Sequence, residues 1–384
     1  MKKYQDKINL KKEQGSFRSL RNIDEIRKQM QQSANGFVNL SSNDYLGLAT
    51  DLELRKEFLS QLTPEMLRFS SSSSRLLTGN TEEYEIFEKE LAQAYHAEAA
   101  LLFGSGYHAN SGIIPAITDE HTLILADKLI HASMIDGIRL SSARFVRYRH
   151  NDYAHLEHLI EINHQQYESI LIATESIFSM DGDEADLGTL IRLKKKYPNV
   201  ELYIDEAHAV GLRGKNGLGC CEEQHCIADI DYLIGTFGKA LASTGAFLIC
   251  SAEVRDFLIN TVRPFIFTTA LPPVNISWSR FIFSHLPDFE KRRIHLRHIS
   301  GLLHSFLESS GRSNVSTSQI IPFIIGENNK TLEIAEQLQR KGFYVLPIRP
   351  PSVPEGTARL RISLSAEHSE QQILQLIEEL KQIK

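Results

Sequence analysis

Three chemically distinct groups follow short apolar runs. Asp205-Glu-Ala-His208 comes after Val200-Glu-Leu-Tyr-Ile204, Thr236-Phe-Gly-Lys239 after Asp231-Tyr-Leu-Ile-Gly235, and Gly104-Ser-Gly106-Tyr107 after Ala99-Ala-Leu-Leu-Phe103. An aspartate kept ionised can hold a proton on a heterocyclic nitrogen, with His208 nearby as a donor. A lysine just past a buried run, behind a glycine that allows a sharp turn, can be desolvated into an amine nucleophile able to form a Schiff base. A glycine turn feeding the helix-compatible segment His108-Ala-Asn-Ser-Gly offers free amides and a positive dipole end to a phosphate. Each feature alone has an ordinary explanation, as a loop cap, a surface charge or a plain strand-to-helix turn. Together they supply a phosphate anchor, an anion for a ring nitrogen and an amine, the set that pyridoxal 5'-phosphate requires.

Other residues fall near the same strand ends. Asp127-Lys-Leu-Ile-His131 brings an imidazole that could stack on a flat ring or simply cap a helix. Glu175-Ser-Ile-Phe-Ser-Met-Asp-Gly182 presents Ser179. In Thr357–Leu364, period-two alternation puts Ala358, Leu360, Ile362 and Leu364 on one face and Arg359, Arg361 and Ser363 on the other. An arginine there suits a bidentate grip on an amino-acid carboxylate, and Arg359 reads as lying on an exposed edge face. Gly104-x-Gly106-x-x-Ala109 with Asp127 also loosely matches a dinucleotide fingerprint. That NAD alternative leaves Asp205, His208 and Lys239 without roles. The four cysteines are Cys220, Cys221, Cys226 and Cys250; three lie close to His225 but lack the CxxC pairs of structural zinc sites, so no metal is expected.

The elements that must position these groups are legible as a pattern. Nearly continuous apolar runs at Ala99–Phe103, Thr122–Ala126, Ser169–Ala173, Val200–Ile204, Asp231–Gly235 and Ala246–Cys250 alternate with helix-length segments. Such runs indicate strands covered on both faces, hence a mostly parallel, doubly wound α/β sheet in a large domain. A short strand is expected at Phe37–Leu40. Pro272-Pro273 marks a break before a smaller α+β C-terminal domain, which ends in an amphipathic helix carrying Ile373, Leu374, Leu376, Ile377 and Leu380 on its apolar side. The expected divisions are 1–48, an N-terminal arm, 49–285, the large domain, and 286–384, the small one. The run Ser70–Ser74 leads directly into Arg75-Leu-Leu-Thr-Gly-Asn80 and reads as folded chain rather than linker.

At 384 residues, 42% hydrophobic and 23% charged, the chain can bury a sizeable core, and wholesale disorder is excluded. The net charge of −6 argues against a nucleic-acid coat. No apolar stretch approaches the ~20 residues of a membrane span, and the charged start Met1-Lys-Lys-Tyr-Gln-Asp lacks a signal-type apolar region. A soluble cytoplasmic protein without membrane or nucleic-acid partners is expected.

Six segments in this order and spacing resemble the α-oxoamine synthases, fold-type I pyridoxal-phosphate transferases. They are Asn39-Leu-Ser-Ser-Asn43-Asp-Tyr-Leu-Gly47, Arg75–Asn80, Gly104–Asn110, Ser179-Met-Asp-Gly-Asp183, Asp205–His208 and Thr236–Lys239. The resemblance implies that Lys239 carries the cofactor and moves the α-proton, Asp205 pairs with the ring nitrogen, His208 contacts the ring hydroxyl and His131 stacks over the ring. It places Gly106, Tyr107 and Thr236 at the phosphate end and Ser179 near the cofactor. Arg361 would hold the amino-acid carboxylate, with Arg21, Asn43, His131 and Ser352 at the substrate. A homodimer is implied, with Thr268 and Thr269 reaching the partner's phosphate. Within the family, Ile348–Arg361 is most similar to the member that condenses L-alanine with a pimeloyl thioester, carried by coenzyme A or an acyl carrier protein. Others take glycine or serine with different thioesters. Three departures stand out: Tyr84 where relatives often have His, Ser352 for a frequent Thr, and Ser70–Ser74 for a glycine-richer stretch. A non-catalytic subunit of the same fold is disfavoured by the retained Lys239.

Overall fold

The computed structural model describes residues 2–13, 17–33 and 35–383. Met1, residues 14–16 and Ala34 of the expected N-terminal arm therefore lie outside the described residues. The chain divides into two compact units: residues 46–178 with 184–293, and residues 1–45 with 179–183 and 294–384.

The larger unit is built on seven strands. The chain order begins with the two-residue β1 (Val38–Asn39), which belongs to the other unit, then β2 (Ala99–Phe103), β3 (Thr122–Asp127), β4 (Arg144–Tyr148), β5 (Ser169–Glu175), β6 (Val200–Asp205), β7 (Tyr232–Thr236) and β8 (Ala246–Cys250). The sheet order is β2-β8-β7-β6-β5-β3-β4. Neighbours from β7 through β4 pair in parallel, whereas β8 runs antiparallel to both β2 and β7. The carboxyl ends of β2, β3, β5, β6 and β7 therefore share one edge, where ligands gather in open α/β sheets. The six apolar runs form strands as their composition dictates. Four extend into polar residues that the hydrophobic signal did not cover: Asp127, Thr174-Glu175, Asp205 and Thr236. β4 was not foreseen, because Arg144-Phe-Val-Arg-Tyr148 is a largely exposed edge strand with charged residues.

Two helices of this unit, Gly106–Ile117 and Ala132–Leu140, bury Ala109, Ile113, Ile114, Met134 and Ile138 against the sheet residues Leu101, Ile124, Leu171 and Ile234. They approach so closely that a Cβ on Gly137 would lie 2.5 Å from the Asn110 carbonyl oxygen. The run Ser70–Ser74 is pinned: the Ala270 amide donates to the Ser73 carbonyl (2.9 Å) and Ser71 Oγ to the Leu271 carbonyl (2.8 Å).

In the smaller unit, β9 (Ile320–Gly326), β10 (Phe343–Tyr344), β11 (Pro347–Ile348) and β12 (Ala358–Ser363) complete the strands. β12 is the centre of an antiparallel sheet ordered β11-β12-β9, and β1 pairs with β10 in parallel. All six residues of β12 are buried, so the expected exposed face for Arg359 is wrong. The segment 179–183 supplies the reason, since Asp181 forms an ion pair with Arg359, which is 4% exposed. Gly182 allows this approach: at φ +69° it adopts a conformation L side chains rarely take, and a Cβ would sit 1.9 Å from the Ile320 carbonyl oxygen. The C-terminal helix Glu370–Lys381 begins with a capping box at Ser369 and buries Ile373, Leu376, Ile377 and Leu380. Leu374, expected with them, is instead exposed. No helix among the described residues is long and apolar enough to cross a membrane.

Candidate active site

Each functional side chain of the larger unit leaves a strand end. Asp205 is the last residue of β6 and is 5% exposed. Its Oδ1 accepts the Ala207 amide (2.9 Å) and its Oδ2 the carboxamide of Asn110 (2.7 Å), so two donors hold the carboxylate. His208 follows in the same turn and is 4% exposed. The Lys239 amine, three residues past β7, donates to His208 Nε2 at 2.8 Å. His131 is the N-cap of helix Ala132–Leu140, its Nδ1 accepting the Ser133 amide at 3.2 Å. Its ring is exposed on one side, yet the surrounding protein lowers its pKa; Asp205 opposes this shift and Lys239 adds to it. Lys239, Asp205, His208 and His131 thus lie within one electrostatic neighbourhood.

The glycine turn after β2 leads into helix Gly106–Ile117, where Ser105 Oγ caps the His108 amide (3.1 Å). The first-turn amides of Gly106 and Tyr107 have no helical carbonyl behind them and face outward. A Cβ on Gly106 would lie 3.9 Å from the Thr236 side chain, so Gly106 and Thr236 flank one small space. Thr236 Oγ1 donates to the Gly245 carbonyl (3.0 Å) and accepts the Gly238 amide (3.2 Å), fixing the turn toward Lys239. Tyr107 is half exposed, and its phenol donates to Asp136, which raises the phenol pKa. Thr268 and Thr269 line a crevice with Gly104, Arg75 and Tyr84. Tyr84, the departure at 84, is buried under the Arg75 guanidinium at 4.1 Å, and burial pushes its pKa up to about 12. Asp127, the dinucleotide candidate, is fully buried and spends its carboxylate on the Leu129 and Asn151 amides and on His150.

The remaining predicted residues belong to the smaller unit. Arg361, 9% exposed, points its guanidinium at neutral acceptors: the Ser179 carbonyl (2.5 Å), Asn43 Oδ1 (3.3 Å), the Tyr45 hydroxyl (3.4 Å) and Ser363 Oγ (3.4 Å). Among the described residues no carboxylate pairs with it. Asn43, Ser179 and Arg361 are therefore brought together, with Ser179 contributing its carbonyl to Arg361. Ser352 accepts from Arg18 Nη2 (2.8 Å), and Arg349 has its pKa lowered by burial and by the like charges of Arg21 and Arg18. Sequence reasoning missed Arg18 and Arg349, although Arg349 lies inside the quoted segment 348–361.

It also missed Glu175, Asn110, Ser133 and Tyr203 of the larger unit. Glu175 is 3% exposed and sits beside Asp205 in the β5–β6 register. The buried Glu206 carboxylate accepts Ser176 Oγ and the amides of Cys220 and Cys221. All four cysteines are free thiols and buried.

Residues 35–380 match the family described as aminotransferase class I and II. A chain from Glaesserella parasuis, named "Putative 8-amino-7-oxononanoate synthase", is 53% identical over 380 residues, covering 98% of this chain and 99% of that one. Among solved structures, the serine palmitoyltransferase from S. paucimobilis with bound PLP–myriocin aldimine aligns with a TM-score of 0.82 at 28% identity, covering 90% of this chain and 87% of that one. The 8-amino-7-oxononanoate synthase from Francisella tularensis aligns with a TM-score of 0.77 at 26% identity, covering 91% and 98%. With nearly its whole length matched, the chain belongs to the class I and II aminotransferase family and groups there with the 8-amino-7-oxononanoate synthases.

Proposed function

We propose that the protein condenses L-alanine with a pimeloyl thioester, with loss of carbon dioxide, to give 8-amino-7-oxononanoate for biotin biosynthesis. It is a pyridoxal-phosphate enzyme that transfers an acyl group. The observation carrying this reading is the convergence of Lys239, Asp205, His208 and His131 at the carboxyl ends of β3, β6 and β7. Those residues fit the cofactor. Lys239 offers the amine, Asp205 an anion held by two donors, and the Gly106–Thr236 space beside a helix N-terminus suits a phosphate. When bound, pyridoxal phosphate supplies an electron sink for negative charge at the amino acid's α-carbon.

The protein's own groups do the rest. Arg361 binds the alanine carboxylate, and Asp205 holds a proton on the ring nitrogen. Lys239 removes the α-proton and later returns one to the same carbon. The α-carbon forms a bond to the acyl carbon; the C–S bond breaks and the sulfur leaves as a thiol after taking a proton. The bond to the carboxylate carbon then breaks, and carbon dioxide leaves. The arginine set Arg18, Arg21 and Arg349 with Ser352 supports an acyl chain ending in a carboxylate, because clustered like charges make a positive field that an anion relieves. A palmitoyl chain would bring a methyl group instead.

The working form is taken to be a homodimer in the cytoplasm. Exposed Phe69, Leu76, Leu77 and Phe267, in the segments pinned together next to Thr268–Thr269, support a second copy covering that surface. The deciding experiment supplies the protein with pyridoxal phosphate and follows thiol release with L-alanine plus pimeloyl-coenzyme A or pimeloyl-acyl carrier protein. Glycine with acetyl-coenzyme A and serine with palmitoyl-coenzyme A run beside it. Faster turnover with either of those pairs would overturn the substrate assignment.

A further inference from the structure

One buried carboxamide touches Asp205 directly and reaches His131 through a single hydroxyl. Asn110 is 1% exposed in the middle of helix Gly106–Ile117, on the face that otherwise buries Ala109, Ile113 and Ile114. An apolar side chain would suit this face better, since a buried amide costs about 1–3 kcal/mol wherever its hydrogen bonds are not made. Here they are made, and their directions can be assigned from chemistry alone. Asp205 Oδ2, 2.7 Å from Asn110 Nδ2, can only accept, so the amide nitrogen must face it. The amide oxygen therefore faces Tyr203, whose hydroxyl donates at 2.7 Å. Burial first, and the Asp205 charge second, keep the Tyr203 phenol protonated as a donor.

The second amide hydrogen of Asn110 goes to Ser133 Oγ at 3.0 Å. The Ser133 hydroxyl lies 2.7 Å from His131 Nδ1, and because the backbone amide beside it can only donate to that nitrogen, the hydroxyl donates there too. The Ser133 backbone amide points at the same nitrogen (3.2 Å). His131 Nδ1 receives two donors, so the neutral ring must carry its proton on Nε2. The chain runs one way, from Tyr203 to Asn110, then to Asp205 along one arm and through Ser133 to His131 along the other. Tyr203, Asn110, Ser133 and Asp205 are all at most 5% exposed, so water does not compete for these bonds.

We propose that Asn110 is a positioning residue for the reaction: its single carboxamide orients the Asp205 carboxylate and, through Ser133, sets the tautomer of His131. The inference rests on the proposed function for its link to catalysis, but the tautomer itself is a property of the protein without cofactor. The two can therefore fail separately.

The test pairs Asn110→Ala with Ser133→Ala, which removes only one hydroxyl. Nitrogen NMR of histidine-labelled, cofactor-free protein reads the His131 tautomer. The wild type should show hydrogen on Nε2, and both variants should show a smaller Nε2–H fraction, since only the backbone amide of residue 133 then donates to Nδ1. Loaded with pyridoxal phosphate, Asn110→Ala should lose about 10- to 100-fold in kcat, the equivalent of one hydrogen bond to a charged group, with less than about 3-fold change in the KM for alanine. Ser133→Ala should leave cofactor affinity within about 3-fold, because the Asp205 arm is intact. An unchanged tautomer in both variants, or an unchanged kcat in Asn110→Ala, would overturn the proposal. A wild type that shows the Nε2–H form yet binds no pyridoxal phosphate would sink the functional reading and leave the hydrogen-bond chain standing. Should Asn110→Ala fail to fold, Ser133→Ala alone decides the tautomer.

Discussion

Replacing Glu175 by glutamine probes the charge balance where β5 and β6 end. Glu175 is 3% exposed, stands beside Asp205 in register, and its Oε1 has no hydrogen-bond partner. Burial pushes its pKa well above the usual carboxylate range. Asp205 adds to the rise, Lys239 and the His131 amide oppose it, and Asp127 adds a smaller push upward. The folded protein therefore keeps a proton that the unfolded chain has lost once the pH passes the ordinary glutamate value. A folded state that binds the extra proton is stabilised at low pH, and that stability is lost as pH rises toward the raised pKa. The slope for one proton is about 1.4 kcal/mol per pH unit. The E175Q variant cannot titrate there, so its stability relative to wild type should climb with pH above the ordinary glutamate value, at no more than about 1.4 kcal/mol per pH unit. Urea unfolding of both cofactor-free proteins across that range measures the difference, in which the titrations common to both cancel. A flat difference from pH 5 to 7 would mean that Glu175 is ionised in the folded protein, and the electrostatic reasoning would be wrong.

Lys239→Ala removes the amine that sits 2.8 Å from His208 Nε2; borohydride treatment of the variant should leave no cofactor-sized mass on the chain, and turnover should vanish with the visible absorbance. Arg361→Ala should raise the KM for alanine by about 100-fold, the loss of one or two charge-assisted bonds, with a smaller change in the KM for the thioester. Leu77→Asp should weaken self-association, because Leu77 is 80% exposed in the single chain and carries no role in its core; sedimentation should show a lighter species with unchanged circular dichroism.

The legible part of the fold is the part that burial dictates locally. Runs such as Thr122–Ala126 and Ala246–Cys250 are covered on both faces, so their composition alone marks them as strands. β9 escaped notice because Pro322 interrupts Ile320–Gly326; as an edge strand paired only with β12, it tolerates the missing donor. Of the candidate site, Asp205, His208 and Lys239 are visible because a strand end fixes where each emerges. Asn110 is a different case. Its partners Tyr203 and Asp205 lie 93 and 95 residues away, so no spacing rule could connect them. Its only trace in the sequence is a polar residue at an apolar helical position.

Arg359 and Arg361 separate structure from function on a single strand. Both leave the same face of β12, and both are buried, at 4% and 9% exposed. Arg359 is neutralised by Asp181, whereas Arg361 is given carbonyl, carboxamide and hydroxyl oxygens that satisfy its hydrogens and leave its charge uncancelled. Tyr45 does not supply the missing anion, since burial raises its phenol pKa further than Arg361 lowers it. The two residues should therefore respond differently to the same change. Arg359→Met strands the Asp181 carboxylate and should cost about 3–5 kcal/mol of stability, whereas Arg361→Met removes a buried cation without stranding an anion and, leaving only neutral oxygens without their donors, should cost less, about 1–2 kcal/mol. Alanine should then protect the wild type and the Arg359→Met variant against urea in the presence of pyridoxal phosphate, but not the Arg361→Met variant. Equal destabilisation by both changes would mean that Arg361 is as structural as its neighbour, and that a ligand carboxylate is not what its charge awaits.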